Sequence, residues 1–302
     1  MTGEDSADIA HEASEVKEKN EAIEKNGSVS AVGEEPKAFI KGKRRSEQEA
    51  QVKAGKQKGQ LPKKRFYRAR AHSNPLSDCQ FSVPTTPSEF DWSESFPEFF
   101  AQEETTGDKD LKVRFADIGC GFGGLIVQMS PLFPKTLMVG MELRDKVSEY
   151  VKERIVALRE QHPGQYENIS VLRTNAMKYL PNYFEKGQLT KMFFLFPDPH
   201  FKEKNHRRRI ISTALLAEYA YIMAVGGILY TITDVQELGE WMKAHLDAHP
   251  LFHPLTDEEL EKDVCVPLLI NATEEGQKVE RNGGSTYKAI YRRIAGLGNI
   301  GA

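Results

Sequence analysis

The 302-residue chain predicts an α/β fold with a mostly parallel, helix-covered sheet, and three observations carry the prediction. Short apolar runs alternate with longer stretches at helical spacing from about Leu111 onward. A glycine-rich turn, Gly119-Cys120-Gly121-Phe122-Gly123-Gly124, follows the first such run. The run Met192-Phe193-Phe194-Leu195 reads as a buried strand whose carboxyl end, where open α/β sheets place ligands, carries Phe196-Pro197-Asp198-Pro199-His200-Phe201-Lys202.

Taken in order, Lys112 to Ile118 reads as a strand, Gly119 to Gly124 as a turn, and Leu125 to Leu132 as a helix closed by Pro134. Thr136 to Glu142 is a second strand. Lys146 to Gln161 is a long helix with Val147, Val151, Ile155 and Leu158 at helical spacing. Ile169 to Leu172, Lys191 to Phe196 and Gly227 to Thr233 supply further strands, with helices over Ile210 to Val225 and Gln236 to His249. Strands alternating with helices imply a parallel sheet. Tyr287 to Arg293 alternates as a strand after the turn Asn282-Gly283-Gly284, which predicts an antiparallel hairpin closing the sheet.

The N-terminal region is of another kind. Residues 1 to about 36 hold almost no large apolar residues and cannot offset the entropy of ordering, so they are expected to be disordered. From Lys37 to Arg70 the charge inverts: Lys41, Lys43, Arg44, Arg45, Lys53, Lys56, Lys58, Lys63, Lys64, Arg65, Arg68 and Arg70 face only Glu47 and Glu49. Such a segment binds nucleic acid, serves as a nuclear import signal, or is a solvated tail. Phe66, Tyr67, His72 and the Asn74-Pro75 turn are interleaved with its last cations, which suits backbone contact plus base stacking. The expected division is therefore a disordered tail over 1–61 and a folded domain over 62–302, with an RNA-binding arm at 62–80.

Other classes are disfavoured. No apolar run approaches a membrane span and the N-terminus has no signal-peptide core, so a soluble intracellular protein is expected. Cys79, Cys120 and Cys265 lack Cys-x-x-Cys spacing, which argues against a disulfide framework or a structural metal.

Two motifs carry chemistry. Asp198 sits in a proline frame just before the cations Lys202, Arg207, Arg208 and Arg209, an arrangement suited to holding a base and its phosphates; the plainer reading is a strand-to-helix loop with a turn-forming Asp-Pro pair. The glycine turn fits G-x-G-x-x-G, which a nicotinamide dinucleotide site shares, with Glu142 roughly 20 residues on to take ribose hydroxyls. Asp117 before the first glycine gives Asp-x-Gly-x-Gly, which resembles the first motif of S-adenosylmethionine-dependent methyltransferases. Glu142 and Asn175 have an alternative as helix caps.

From about Pro62 to Arg293 the chain resembles the eukaryotic tRNA (guanine-N7-)-methyltransferases. The resemblance rests on Arg68-Ala69-Arg70-Ala71-His72-Ser73-Asn74-Pro75, the Asp117 to Gly124 turn, Met141-Glu142-Leu143-Arg144, Asn175-Ala176-Met177-Lys178, the Phe196 to Lys202 signature, Tyr230-Thr231-Ile232-Thr233-Asp234 and Thr273-Glu274-Glu275-Gly276. It implies a Rossmann-like class I methyltransferase that uses S-adenosylmethionine to methylate the variable-loop guanosine 46 of tRNA. It further implies cofactor contacts at Gly119, Glu142, Arg144, Asn175, Ala176 and Leu195, a catalytic Asp198, and Thr273 and Glu275 lining the pocket for cofactor and guanine. Many members carry a lysine where this chain has Asn205 and Lys-Trp where it has Arg207-Arg208, so phosphate contacts there are expected to be redistributed. A noncatalytic WD-repeat β-propeller subunit is implied as partner and the nucleus as location. The charged face of Lys146 to Gln161, with Glu149, Lys152, Glu153, Arg154 and Arg159, is the expected docking surface unless it is merely solvated.

The chemistry fits without the resemblance. Guanine N7 offers an in-plane lone pair and carries no proton, so methyl transfer needs alignment rather than a general base. A dinucleotide oxidoreductase lacks a candidate hydride-transfer group here. A noncatalytic RNA-binding subunit leaves Glu142 and Asp198 unexplained.

Overall fold

The computed structural model describes residues 59–67, 69, 74–77, 81–106 and 111–296, with the side chains of 102–106 left aside. The expectations for residues 1–58, Arg68 and Arg70 lie outside the described residues.

Seven strands form one sheet: β1 (Val113–Ile118), β2 (Leu137–Glu142), β3 (Ile169–Arg173), β4 (Leu189–Leu195), β5 (Met223–Thr233), β6 (Phe252–Pro254) and β7 (Tyr287–Arg293), in the order β3-β2-β1-β4-β5-β7-β6. β1 to β5 pair in parallel, and β7 runs antiparallel to both β5 and β6. The chain reverses its direction of travel across the sheet between β1 and β4, and that switch point opens a crevice at the strands' carboxyl ends. β2 is buried along its whole length, as a central strand covered on both faces requires.

Nine helices are present among the described residues: α1 (Pro97–Thr106), α2 (Gly124–Met129), α3 (Asp145–Gln161), α4 (Ala176–Tyr183), α5 (Thr213–Ile222), α6 (Gln236–Ala248), α7 (Asp257–Lys262), α8 (Leu268–Asn271) and α9 (Glu274–Arg281). Strand alternation splits the core into two layers. Ala116, Leu137, Val139 and Phe194 pack with Leu180, Leu216 and Met242 from α4, α5 and α6. Phe115, Met138, Phe193 and Tyr230 face the opposite way, toward Ile126, Val151 and Leu269 from α2, α3 and α8. None of the described helices is long and apolar enough to cross a membrane.

Two expectations need correction. β7 is antiparallel as expected but belongs to no local hairpin: Asn282-Gly283-Gly284 ends α9, with Gly283 at φ 62 and the Gly284 amide donating to Val279 O at 2.9 Å. β5 begins at Met223, inside the stretch expected to be helical, because Gly226 at φ 88 lets the strand bulge and then resume pairing with β4 at Ile228.

Candidate active site

The first half of the site is the turn after β1. Gly119, Gly121 and Gly123 all take left-handed φ angles, 73°, 54° and 72°. At Gly119 and Gly121 a Cβ would meet open space, so the backbone conformation itself calls for glycine there. Gly124 is different: a Cβ would overlap the carbonyl oxygen of Ala272, and its absence brings the segment preceding α9 onto the turn. The amides of Gly119 and Cys120 donate to Met141 O at 2.8 and 3.1 Å, fastening the turn to the end of β2.

At that end Glu142 is 4% exposed and grips Arg144. Arg144 Nε donates to Oε1 at 3.0 Å, Nη2 to Oε2 at 2.9 Å, and the Arg144 amide to Oε1 at 2.9 Å. The two expected cofactor residues thus form one oriented unit. Beside them Asp117 is buried. Burial, then the negative charge of Glu142, pushes its carboxyl up to about 7.

The second half is the turn after β4, which neighbours β1 with Asp117 opposite Phe193. Leu195 is half-buried at the strand end. Phe196 and His200 have φ of 49° and 46°, so two of the three non-glycine left-handed residues among the described positions bracket Asp198. The carboxylate, 28% exposed, accepts the His200 amide at 3.3 Å, and the His200 ring lies 3.8 Å away. Asp198 therefore shapes its own turn while presenting part of its carboxylate outward.

Asn175 caps α4, accepting the Met177 amide at 3.1 Å, and its Nδ2 donates to Pro75 O at 2.6 Å. With the side chain so committed, the cofactor contact expected at these positions is left to the backbone of Asn175 and Ala176. Thr273 caps α9 through the Gly276 amide at 3.0 Å, and Glu275 is exposed, 3.5 Å from Lys278.

The expected RNA cations divide. Lys63, Arg65, Lys202 and Arg207 are exposed, and Arg208 is half-buried with Nε lacking a partner. Lys64 pairs with Glu274 and sits 5.2 Å over the Phe122 ring of the glycine turn. Arg209 corrects the sequence reading: it is 1% exposed and cannot serve as a surface phosphate contact. Tyr67 is corrected likewise. Its ring is buried edge-on against Tyr150 at 5.4 Å and its hydroxyl donates to Glu153 at 2.6 Å, so it anchors the chain to α3 instead of stacking on a base.

The α3 face expected to dock a partner is partly used within the chain. Besides Glu153, Arg154 donates to Phe122 O at 2.9 Å, and Arg159 to Tyr166 O at 3.1 Å and Ile169 O at 2.9 Å. A groove of about 730 Å³ lined by Phe99, Pro131, Arg159 and Tyr166 lies away from both turns and gathers none of the site motifs. Sequence reasoning placed Asp117 in the glycine-turn motif but missed that it lies buried beside Glu142.

A family model described as "Putative methyltransferase" matches residues 111–289. A Zea mays protein named tRNA (guanine-N(7)-)-methyltransferase is 66% identical over 241 residues, covering 78% of this chain and 94% of that protein. An Arabidopsis thaliana protein of the same name is 68% identical over 236 residues, covering 78% and 93%. One from Danio rerio is 56% identical over 234 residues, covering 78% and 96%.

Proposed function

Since the chain belongs to the tRNA (guanine-N(7)-)-methyltransferase family and has the Rossmann-like class I methyltransferase fold, we propose that it carries methyl groups from S-adenosylmethionine to the variable-loop guanosine 46 of tRNA. The observation that carries the reading is the juxtaposition, on neighbouring strands at the switch point, of an open glycine turn and a backbone-strained carboxylate turn.

The residues of the first turn fit the donor. Open left-handed glycines let the backbone approach a ligand, and the buried Asp117 carboxylate, beside the negative charge of Glu142, suits an ammonium group. When bound, S-adenosylmethionine supplies a methyl group activated by a sulfonium. Glu142, held by Arg144, is oriented to accept ribose hydroxyls, while the Asn175-Ala176 backbone, Leu195 and Thr273 form walls. Asp198 accepts hydrogen bonds from guanine N1–H and N2–H, aligns N7, and interacts more favourably as the purine becomes cationic, with Glu275 as a second acceptor.

A tertiary-paired guanine must first be turned out, and phosphate contacts from Lys63, Arg65, Lys202, Arg207 and Arg208 offset the lost stacking. Arg68 and Arg70 join them on sequence grounds. A noncatalytic WD-repeat β-propeller partner belongs to the same reading, because a slender arm and one small domain offer little rigid surface to an L-shaped tRNA. Glu149, Lys152 and Val156 form the exposed line of α3 available to it. The basic segment before Arg70 supports a nuclear location.

The test is transfer of labelled methyl from S-adenosylmethionine to unmodified tRNA, with nucleoside mapping and a tRNA bearing adenosine at position 46 as control. Repeating it with and without the companion recovered by co-purification tests the partner. Label elsewhere, or equal labelling of the control, would overturn the assignment of guanosine 46.

A further inference from the structure

Arg209 is held by three groups of the protein itself. Its Nε donates to Pro199 O at 3.0 Å, one residue beyond Asp198. Its Nη2 donates to Glu237 Oε1 at 2.7 Å, and its guanidinium lies 4.7 Å from the centre of the Trp241 ring. Glu237 and Trp241 both belong to α6, and Trp241 is itself fixed by donating Nε1–H to Ile211 O at 2.8 Å and by stacking on His245 at 4.3 Å. A rigid helix thus reaches the Asp198 turn through one planar cation.

We propose that Arg209 is a positioning residue, which holds the Asp198 turn in the conformation that aligns guanine from inside the protein. The proposal rests on the reading of Asp198 as the carboxylate that orients guanine. The turn needs an external brace. It is bracketed by left-handed Phe196 and His200, a conformation that persists only when surrounding structure over-determines it, and one hydrogen bond within it, from the His200 amide to Asp198, is long at 3.3 Å.

An arginine suits the task because its donors lie in one fixed plane: one edge meets a carbonyl, another a carboxylate, and the face meets an indole. A lysine in the same place keeps the charge but has neither fork nor face. The arrangement also leaves Arg209 Nη1 buried without a partner, a cost that packing alone does not explain.

Arg209→Lys, Arg209→Gln and Glu237→Gln decide the matter, with cofactor affinity, single-turnover methylation at saturating tRNA, and the salt dependence of tRNA affinity measured for each. Arg209→Lys is expected to slow single-turnover methylation at least tenfold. S-adenosylhomocysteine affinity should stay within twofold and the salt slope should be unchanged, since no phosphate contact is lost. Glu237→Gln, at an exposed residue, should slow the same step by a smaller factor with the same unchanged slope, and serves if Arg209→Lys does not fold.

A phosphate contact behaves in the opposite way once its charge is removed: for Arg209→Gln, a slope reduced by about 0.7–0.9 with an intact rate at saturation would overturn the proposal. So would single-turnover rates within twofold of the parent in every folded variant. Failure of the underlying reading is separately visible, as normal methylation by an Asp198→Asn protein.

Discussion

Glu142→Gln tests the cofactor end of the site with least disturbance to the fold. The native carboxylate accepts three N–H groups of Arg144, at 2.9, 2.9 and 3.0 Å, from a position only 4% exposed. Glutamine conserves the volume and keeps one acceptor oxygen, enough for the Arg144 amide, while Arg144 at 25% side-chain exposure still reaches water. The protein should remain folded. What disappears is the ionised acceptor proposed for two ribose hydroxyls, a loss of about 1.5–3 kcal/mol that corresponds to roughly ten- to a hundredfold in affinity. Calorimetric titration with S-adenosylhomocysteine reads this directly, once thermal denaturation has shown a cooperative fold. The same substitution removes the second cause of the raised Asp117 carboxyl, so Asp117 should ionise at lower pH in the variant. A folded Glu142→Gln protein whose affinity lies within twofold of the parent would refute the ribose assignment.

Asp198→Asn should depress single-turnover methylation by at least tenfold while cofactor affinity stays within twofold, because the proposed role of the carboxylate is on guanine and on charge that develops late; normal turnover at saturating tRNA would leave it a turn residue. Neutralising Lys63 and Arg65 together should reduce the salt slope of tRNA binding by roughly 1–2, whereas Lys64→Ala, which breaks a pair with Glu274, should show itself in cofactor affinity as well; filter binding over a salt series separates the two. Asp117 titrates about 7 in the folded chain against 3.8 as its ordinary value, so the folded state binds the extra proton: stability of the unliganded protein should fall as pH rises from about 4 through 7, and cofactor binding at pH 6 should release protons, detected by calorimetry in buffers of different ionisation enthalpy. Tyr230→Phe removes the hydroxyl that joins Lys191 to Asp263, leaving that pair at 3.6 Å, and should cost about 1–3 kcal/mol in denaturant unfolding; no loss would make the network dispensable.

The parallel strands were legible because a strand covered on both faces is a continuous apolar run with little else to be, and the glycine turn because left-handed φ leaves few alternatives to glycine. Helices α7 and α9 escaped the periodicity argument: they are short and mostly charged, and hydrophobic spacing has almost nothing to register over Asp257–Lys262. Their caps were nevertheless written in the chain. Thr256 and Glu259 form a capping box and Thr273 accepts the Gly276 amide, so a search for caps instead of apolar faces finds both starts. The Asn282-Gly283 pair shows the opposite hazard, since one left-handed glycine serves equally to end a helix and to turn a hairpin, and only the preceding helix decides between them.

The residues whose roles changed share a single cause. Tyr67 and Arg209 were read from their sequence neighbours as a ring and a cation facing RNA, but their partners lie far along the chain, at Glu153 and Glu237. A local pattern reports what a side chain is able to do; burial by distant elements settles what it does. A basic run therefore sets an upper bound on phosphate contacts. Among Arg207, Arg208 and Arg209 the bound shrinks as the chain turns inward from an exposed side chain, to a half-buried one, to one fully enclosed against Trp241, so the salt slope per cation should decline in that same order.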